Sequence, residues 1–282
     1  MGYPENVTYR KEMEAAIFER VGDIAVVTLN RPDNANALNT QMHIDVVWSW
    51  EEINNNPEIR VAIVTGRGRF FCAGRDIKEY LEFYGKEGEK KLRPIDDPNH
   101  PMFGKLCNHY IVTKPLIGAI NGICVGGGLE IALMCDLRVM AEDTYIADLH
   151  AKVNVGGMNA LAYELPWPIA NYLTMANGRL SAQECLHFGF VNRIGPKEKL
   201  MEMAFELAEM VKTSGPDSLR HLKEGSIRRQ IMSGNIADPA EAAERRRGRI
   251  EALRATQERD KDLIEGMRAF AEKREASYQK PS

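Results

Sequence analysis

The chain has 282 residues, with 37 Lys and Arg against 40 Asp and Glu, for a formal charge of −3. At 44% apolar and 27% charged it has the composition of a globular protein with a sizeable core, which disfavours disorder and fibrous repeats. The near-neutral balance argues against a dedicated nucleic-acid binder, and no apolar run reaches the roughly 18–20 residues of a membrane span. The first twenty residues are polar and lack the apolar core of a signal peptide, and Asn6 stands where a myristoylation signal needs Ser or Thr. Five cysteines, at 72, 107, 124, 135 and 185, include no CxxC pair, which predicts reduced, buried thiols in a cytoplasmic protein.

In chain order, Ile24–Leu29 is a β-branched run that predicts a buried strand, ended by Asn30-Arg31-Pro32. Asn39 and Thr40 precede a helical pattern through Ile44, Val47 and Trp48, which stops near Asn54-Asn55-Asn56-Pro57. Val61–Thr65 predicts a second buried strand closed by Gly66; Leu116–Ile120 and Leu137–Met140 predict two more. Strands separated by helical stretches indicate an α/β architecture. The charged, Gly- and Pro-rich stretch 85–101 reads either as a functional or mobile loop or as a surface insertion. From Lys199 the chain turns helical, with Leu200, Met203, Ala204, Leu207, Ala208 and Val211 at helical spacing. Near the end Ile250, Leu253, Leu263, Met267 and Phe270 form a thin apolar stripe that needs a covering surface in the chain or in a neighbouring subunit. The expected division is an α/β core over residues 1–200 and a helical oligomerisation region over 201–282.

Two glycine-bearing segments each follow a strand and precede a helix: Phe70–Lys78, containing Cys72-Ala73-Gly74-Arg75-Asp76, and Asn121–Glu130, containing Gly126-Gly127-Gly128. Glycine at such a turn permits close backbone approach, and N–H groups at a helix start favour an anion or a developing oxyanion. Each segment alone is also an ordinary strand-to-helix turn. Neither has the pattern of a P-loop or of GxGxxG, so nucleotide phosphate binding is disfavoured.

Together with Leu29-Asn30-Arg31-Pro32, Asn36-Ala37-Leu38-Asn39, Lys114-Pro115, Cys135-Asp136-Leu137-Arg138 and Glu265–Phe270 with Glu272-Lys273-Arg274, these segments make the chain resemble the enoyl-CoA hydratase/isomerase, or crotonase, superfamily over roughly residues 16–275. The resemblance implies a spiral of ββα turns, a C-terminal helical region that builds trimers or hexamers, and an acyl-CoA thioester as substrate, with no metal and no cofactor beyond the CoA carried by the substrate. It implies that the backbone N–H groups of Arg75 and Gly127 hold the thioester oxygen. It also implies a CoA site drawn from Ala37, Arg75, Asp76, Ile77, Lys78 and Gly126, with Phe270 and Lys273 reaching from a neighbouring subunit. The Arg75 guanidinium, where the family has a small residue, reads as an added contact to phosphate beside the CoA entrance.

Glu130 matches the first of the family's two acid/base glutamates, although a carboxyl in a first helical turn is also a simple dipole partner. The second glutamate is replaced by His150 at the same separation from Glu130, and the Pro-Gly-x-Gly-Gly stretch that follows in the family is absent. Histidine titrates near neutrality and serves either as acid or as base; it could equally fill a polar pocket. Asp148, on the same strand face by alternation, is a second candidate. Tyr80, Phe83, Tyr84, Phe103, Met158 and Trp167 are candidates for an apolar acyl pocket or for ordinary packing. The expectation is an enoyl-CoA hydratase-like lyase using Glu130 and His150, against a thioester or ring-opening hydrolase of the same superfamily, and against an RNA-associated paralogue resting on the basic cluster 245–249 among glutamates.

Overall fold

The buried run Ile24–Leu29 is the third strand of a seven-stranded sheet in the computed structural model, which describes residues 7–84, 111–153, 161–232 and 259–278. Strands β1 (Val7–Glu12), β2 (Ala16–Val21) and β3 (Ile24–Leu29) form an antiparallel meander. Helix α1 (Thr40–Asn55), capped by the Asn39 side chain on the Met42 N–H, then crosses over to β4 (Val61–Gly66), which pairs parallel with β3. Strands β1 and β2 escape a reading by apolar pattern: β1 is nearly all exposed, and β2 buries Glu19, whose carboxylate is 2.6 Å from the Arg10 guanidinium.

From β4 onward the chain repeats one unit. A strand in the long sheet leads to a three-residue strand in a second sheet and then to a helix. The first unit is β4, β5 (Phe70–Cys72) and α2 (Ile77–Tyr84); the second is β6 (Leu116–Ile120), β7 (Ile123–Val125) and α3 (Gly127–Met134). The third has β8 (Leu137–Ala141) and β9 (Tyr145–Ala147), followed by a short 3₁₀ turn at Ala151–Val153 and helices α4 (Leu161–Glu164) and α5 (Trp167–Thr174). Strand β10 (Arg179–Ser181) feeds α6 (Ala182–His187), and β11 (Arg193–Gly195) returns to the long sheet before α7 (Leu200–Lys212) and α8 (Pro216–Met232). Helix α9 (Arg259–Glu272) is the last described helix. Among the described residues the long sheet runs β1-β2-β3-β4-β6-β8-β11 and the short one β10-β9-β7-β5.

The long sheet is buried on both faces, as continuous apolar strands require. Ala25, Val27, Leu29, Ala62, Val64, Leu116 and Ile120 pack with Trp50, Phe71 and Leu129. On the other face Ile24, Val26, Val61, Ile63, Ile117 and Val139 are covered by Leu200, Met201, Ala204, Leu207 and Ala208 of α7. The helical spacing seen from residue 200 is thus the face that closes the sheet. Helix α9 seats Met267 against Tyr80 of α2 and Val153, so part of the C-terminal stripe is covered within the chain. The basic cluster 245–249 and the stretch 85–101 lie outside the described residues. No helix of the described residues is long and apolar enough to cross a membrane.

Trp50 is the largest fully buried side chain. Trp50→Ala is expected to lower unfolding stability by about 3–5 kcal/mol, through lost burial and the cavity left behind. Denaturant titration checks this, and a loss below about 1 kcal/mol would contradict the assignment of Trp50 to the core.

Candidate active site

Strands β5 and β7 are parallel neighbours, so the turns that leave them meet. At Gly74, with φ at +85°, a Cβ would lie 2.9 Å from the Gly127 nitrogen and 3.0 Å from the Val125 carbonyl oxygen. At Gly128 a Cβ would lie 2.2 Å from the Cys72 carbonyl oxygen. Only residues without side chains allow the two backbones this close. Leu38 donates its N–H to the Gly74 carbonyl at 2.7 Å and accepts from the Asp76 N–H at 3.2 Å. By the alternation of extended backbone, the N–H of Arg75 between them faces away from Leu38. The Arg75 nitrogen is 3.7 Å from where a Cβ on Gly127 would stand. Gly127 opens α3, where first-turn N–H groups have no intrahelical partner. Two backbone N–H groups are therefore brought side by side at the helix start.

The polar residues that precede the site in the chain brace it. The Arg31 guanidinium donates to the Ala37 carbonyl at 2.6 Å and to the Asp76 carboxylate at 3.0 Å, tying the loop before α1 to the turn before α2. Asp76 also accepts from the Glu79 N–H at 3.2 Å in the first turn of α2. Asn36, fully buried with φ at +52°, accepts from the Arg31 N–H and donates to the Phe70 carbonyl at 2.8 Å. Loss of these contacts would release the turn that carries Arg75.

The pairing of Val125 with Ala147, extended by the Gly126 N–H on the Ala147 carbonyl, sets the residues after β9 beside the start of α3. Glu130 and His150 meet there, with His150 Nε2 at 3.9 Å from Glu130 Oε1. The sequence places Asp148 and His150 on one strand face; the strand instead ends at Ala147, and the two meet through a turn. Asp148 Oδ1 accepts the His150 backbone N–H at 3.0 Å and sits 2.6 Å from the ring Nδ1. The Asp148 side chain is fully buried. Burial alone pushes the His150 imidazole down, but the hydrogen bond to Asp148 and the negative fields of Glu130 and Asp148 outweigh it, while Arg75 opposes them; the net shift is upward. Burial also pushes the Cys72 thiol up to about 12, so no thiolate nucleophile forms beside the glycine turn at neutral pH.

The remaining candidates are scattered. Tyr80 is buried with Val153 and Met267, and Ile77 packs on that cluster. The Arg75 guanidinium lies over the Tyr80 ring, 5.1 Å from its centre, and its positive charge acts on His150. Lys78 is exposed at the start of α2 and Phe83 is half-buried near its end, where Tyr84 is the last residue. Trp167 is 65% exposed at the start of α5, on the outer surface of the described chain. Phe270 and Lys273 are exposed at the end of α9. Phe103 and Met158 lie outside the described residues. In the sequence Arg31 marks the end of the Ile24–Leu29 strand and, with Asn36, the family resemblance; the available signal for a bracing role was their place around Pro32 at the turn that leaves that strand.

A repeated ββα spiral whose adjacent glycine turns pair two backbone N–H groups beside a carboxylate and an imidazole defines the class. The chain belongs to the enoyl-CoA hydratase/isomerase family, whose model matches residues 19–281. It is 35% identical over 269 residues to a carnitinyl-CoA dehydratase of Citrobacter koseri, covering 93% of this chain and 97% of the relative. A carnitinyl-CoA dehydratase of Salmonella typhimurium is 36% identical over the same shares of the two chains. Among solved structures, a carnitinyl-CoA hydratase from Mycobacterium avium superposes with a TM-score of 0.73 at 28% identity, over 95% of this chain and 99% of that one. An enoyl-CoA hydratase from Mycobacterium smegmatis gives a TM-score of 0.66 at 28% identity, over 86% of this chain and 99% of that one.

Because the folded state raises the affinity of His150 for a proton, that contribution to stability is fully present below the ordinary imidazole pKa and is lost as pH rises through the elevated one. His150→Gln is therefore expected to destabilise the fold more at about pH 5.5 than at about pH 9. Paired denaturation curves at the two pH values check this; an equal loss at both would contradict the upward shift.

Proposed function

We propose that the chain is an acyl-CoA lyase that adds water to, or removes it from, an enoyl-CoA thioester. The observation that carries this reading is the juxtaposition of the Arg75 and Gly127 N–H groups with Glu130 and His150 at one helix start. The two N–H groups form an oxyanion hole for the thioester oxygen, where one donor contributes about 2.7–4 kcal/mol to a charge-developing transition state. Glu130 and His150 serve as the acid/base pair for the water and for Cα. The family membership and the names of the relatives, hydratases and dehydratases of CoA esters, support the same chemistry. The reaction needs no cofactor beyond the CoA of the substrate.

Ala37, Asp76, Ile77, Lys78 and Gly126 line the route for CoA on this reading. Phe270, exposed on α9, and Lys273, exposed just past its end, complete it from a neighbouring protomer of a trimer or hexamer in the cytoplasm. A second reading, hydrolysis of the thioester, draws on the Asp148–His150 contact, since an imidazole held by a carboxylate can activate water toward a carbonyl carbon. Turnover of a panel of short, aromatic and alicyclic enoyl-CoA esters separates the two. Water gain without thiol release supports the lyase, and thiol release supports the hydrolase.

Glu130→Gln is expected to lower kcat by about 10²- to 10⁴-fold with KM changed less than about threefold. Steady-state kinetics on the best ester of the panel checks it, and unimpaired kcat would remove Glu130 from the acid/base role.

A further inference from the structure

His150 stands where the family resemblance supplies a second carboxyl group, and nothing in the proposed reaction yet says which of the two partners gives a proton and which takes one. The immediate surroundings fix which ring nitrogen of His150 faces Glu130. Asp148 has no exposed side-chain surface, and one of its oxygens contacts both the backbone N–H of His150 at 3.0 Å and its Nδ1 at 2.6 Å. A carboxylate can only accept, so Nδ1 must carry a proton and Nε2 is the nitrogen left facing Glu130 across 3.9 Å. The turn is held from outside as well. The Tyr278 hydroxyl donates to the Lys152 carbonyl at 2.7 Å, and Gly266 of α9 approaches Val153 so closely that a Cβ would meet its backbone at 2.9 Å.

We propose that Asp148 is the positioning residue that fixes His150 with Nδ1–H turned inward and Nε2 toward Glu130, so that His150 delivers the proton to Cα while Glu130 takes the proton from water. This rests on the hydration reading above. In that direction the water oxygen bonds to Cβ, and the double-bond pair moves to Cα and the thioester oxygen, whose charge the Arg75 and Gly127 N–H groups meet. Glu130 receives the proton from the water. The enolate then collapses, and its pair at Cα takes the Nε2 proton. Glu130 ends protonated and His150 neutral, and transfer of one proton from Glu130 to Nε2 restores both without any further reactant. Among the described residues the charged groups acting on His150 are Asp148 and Glu130, which favour its protonated form, and Arg75, which opposes it.

Asp148→Asn is the informative change, since an amide oxygen can keep both contacts while the charge is lost. With trans-2-butenoyl-CoA as the probe, kcat is expected to fall by about 10²-fold with little change in KM, and the pH limb belonging to His150 is expected to move downward. In a His150→Gln background the same change is expected to cost less than about twofold, because Asp148 then has no imidazole to act through. An equal loss in both backgrounds, or an unmoved pH limb, would overturn the assignment. The ¹⁵N spectrum of the intact chain, with His150 identified by its absence in His150→Gln, gives a readout independent of turnover and of whether Asp148→Asn folds. It should show a protonated Nδ1 throughout and titration at Nε2; an unprotonated Nδ1 overturns the proposal. A chain with that signature but without hydration of any ester of the panel would instead remove the reaction and spare the positioning.

Discussion

Contact between two backbones is the constraint on which the rest of the site depends. Gly74 and Gly128 allow the turn after β5 to lie against the turn after β7 at distances where any side chain would strike a carbonyl oxygen or an amide nitrogen. Such proximity aligns N–H groups from different parts of the chain without a side chain between them. Donors fixed in this way need no reorganisation when charge develops, which is why preorganised backbone dipoles contribute strongly to acyl chemistry. The bracing by Arg31, Asn36 and Leu38 makes sense in these terms: each holds backbone, and none needs to reach a ligand.

The second element is electrostatic. Parallel pairing of β7 with β9 brings a carboxylate in the first turn of α3 opposite an imidazole, and a buried aspartate stands behind the imidazole. Two carboxylates around one ring raise its proton affinity against the cost of burial, while the Arg75 cation moderates the effect. The outcome is an imidazole whose proton affinity is raised, placed 3.9 Å from the carboxylate that opens α3.

What could be read from the sequence follows from what leaves a local pattern. The strands at Ile24–Leu29, Val61–Thr65 and Leu116–Ile120 were legible because burial on both faces turns them into nearly continuous apolar runs, Leu137–Met140 was legible despite Arg138, and α1 because Asn39 caps it. The strands of the short sheet were not, since three residues such as Phe70–Cys72 or Tyr145–Ala147 are too few to display a period. The pairing of Glu130 with His150 was visible only as a spacing borrowed from a resemblance. Their meeting in space depends on β7–β9 pairing, which is a non-local fact. Asp148 was legible only as a second candidate on one strand face with His150; its contact with His150 through a turn was not. The direction of the Arg75 side chain and the exposure of Trp167 depend on tertiary packing that no local pattern encodes.

The central claim is that the Arg75 and Gly127 N–H groups receive the oxygen of a CoA thioester. A crystal structure with a non-reactive acyl-CoA thioether or amide analogue tests it most directly. The account predicts the acyl oxygen within about 2.7–3.1 Å of both nitrogens, with the Cα–Cβ segment between Glu130 and His150. An acyl group bound elsewhere, or one whose oxygen meets neither nitrogen, would contradict it.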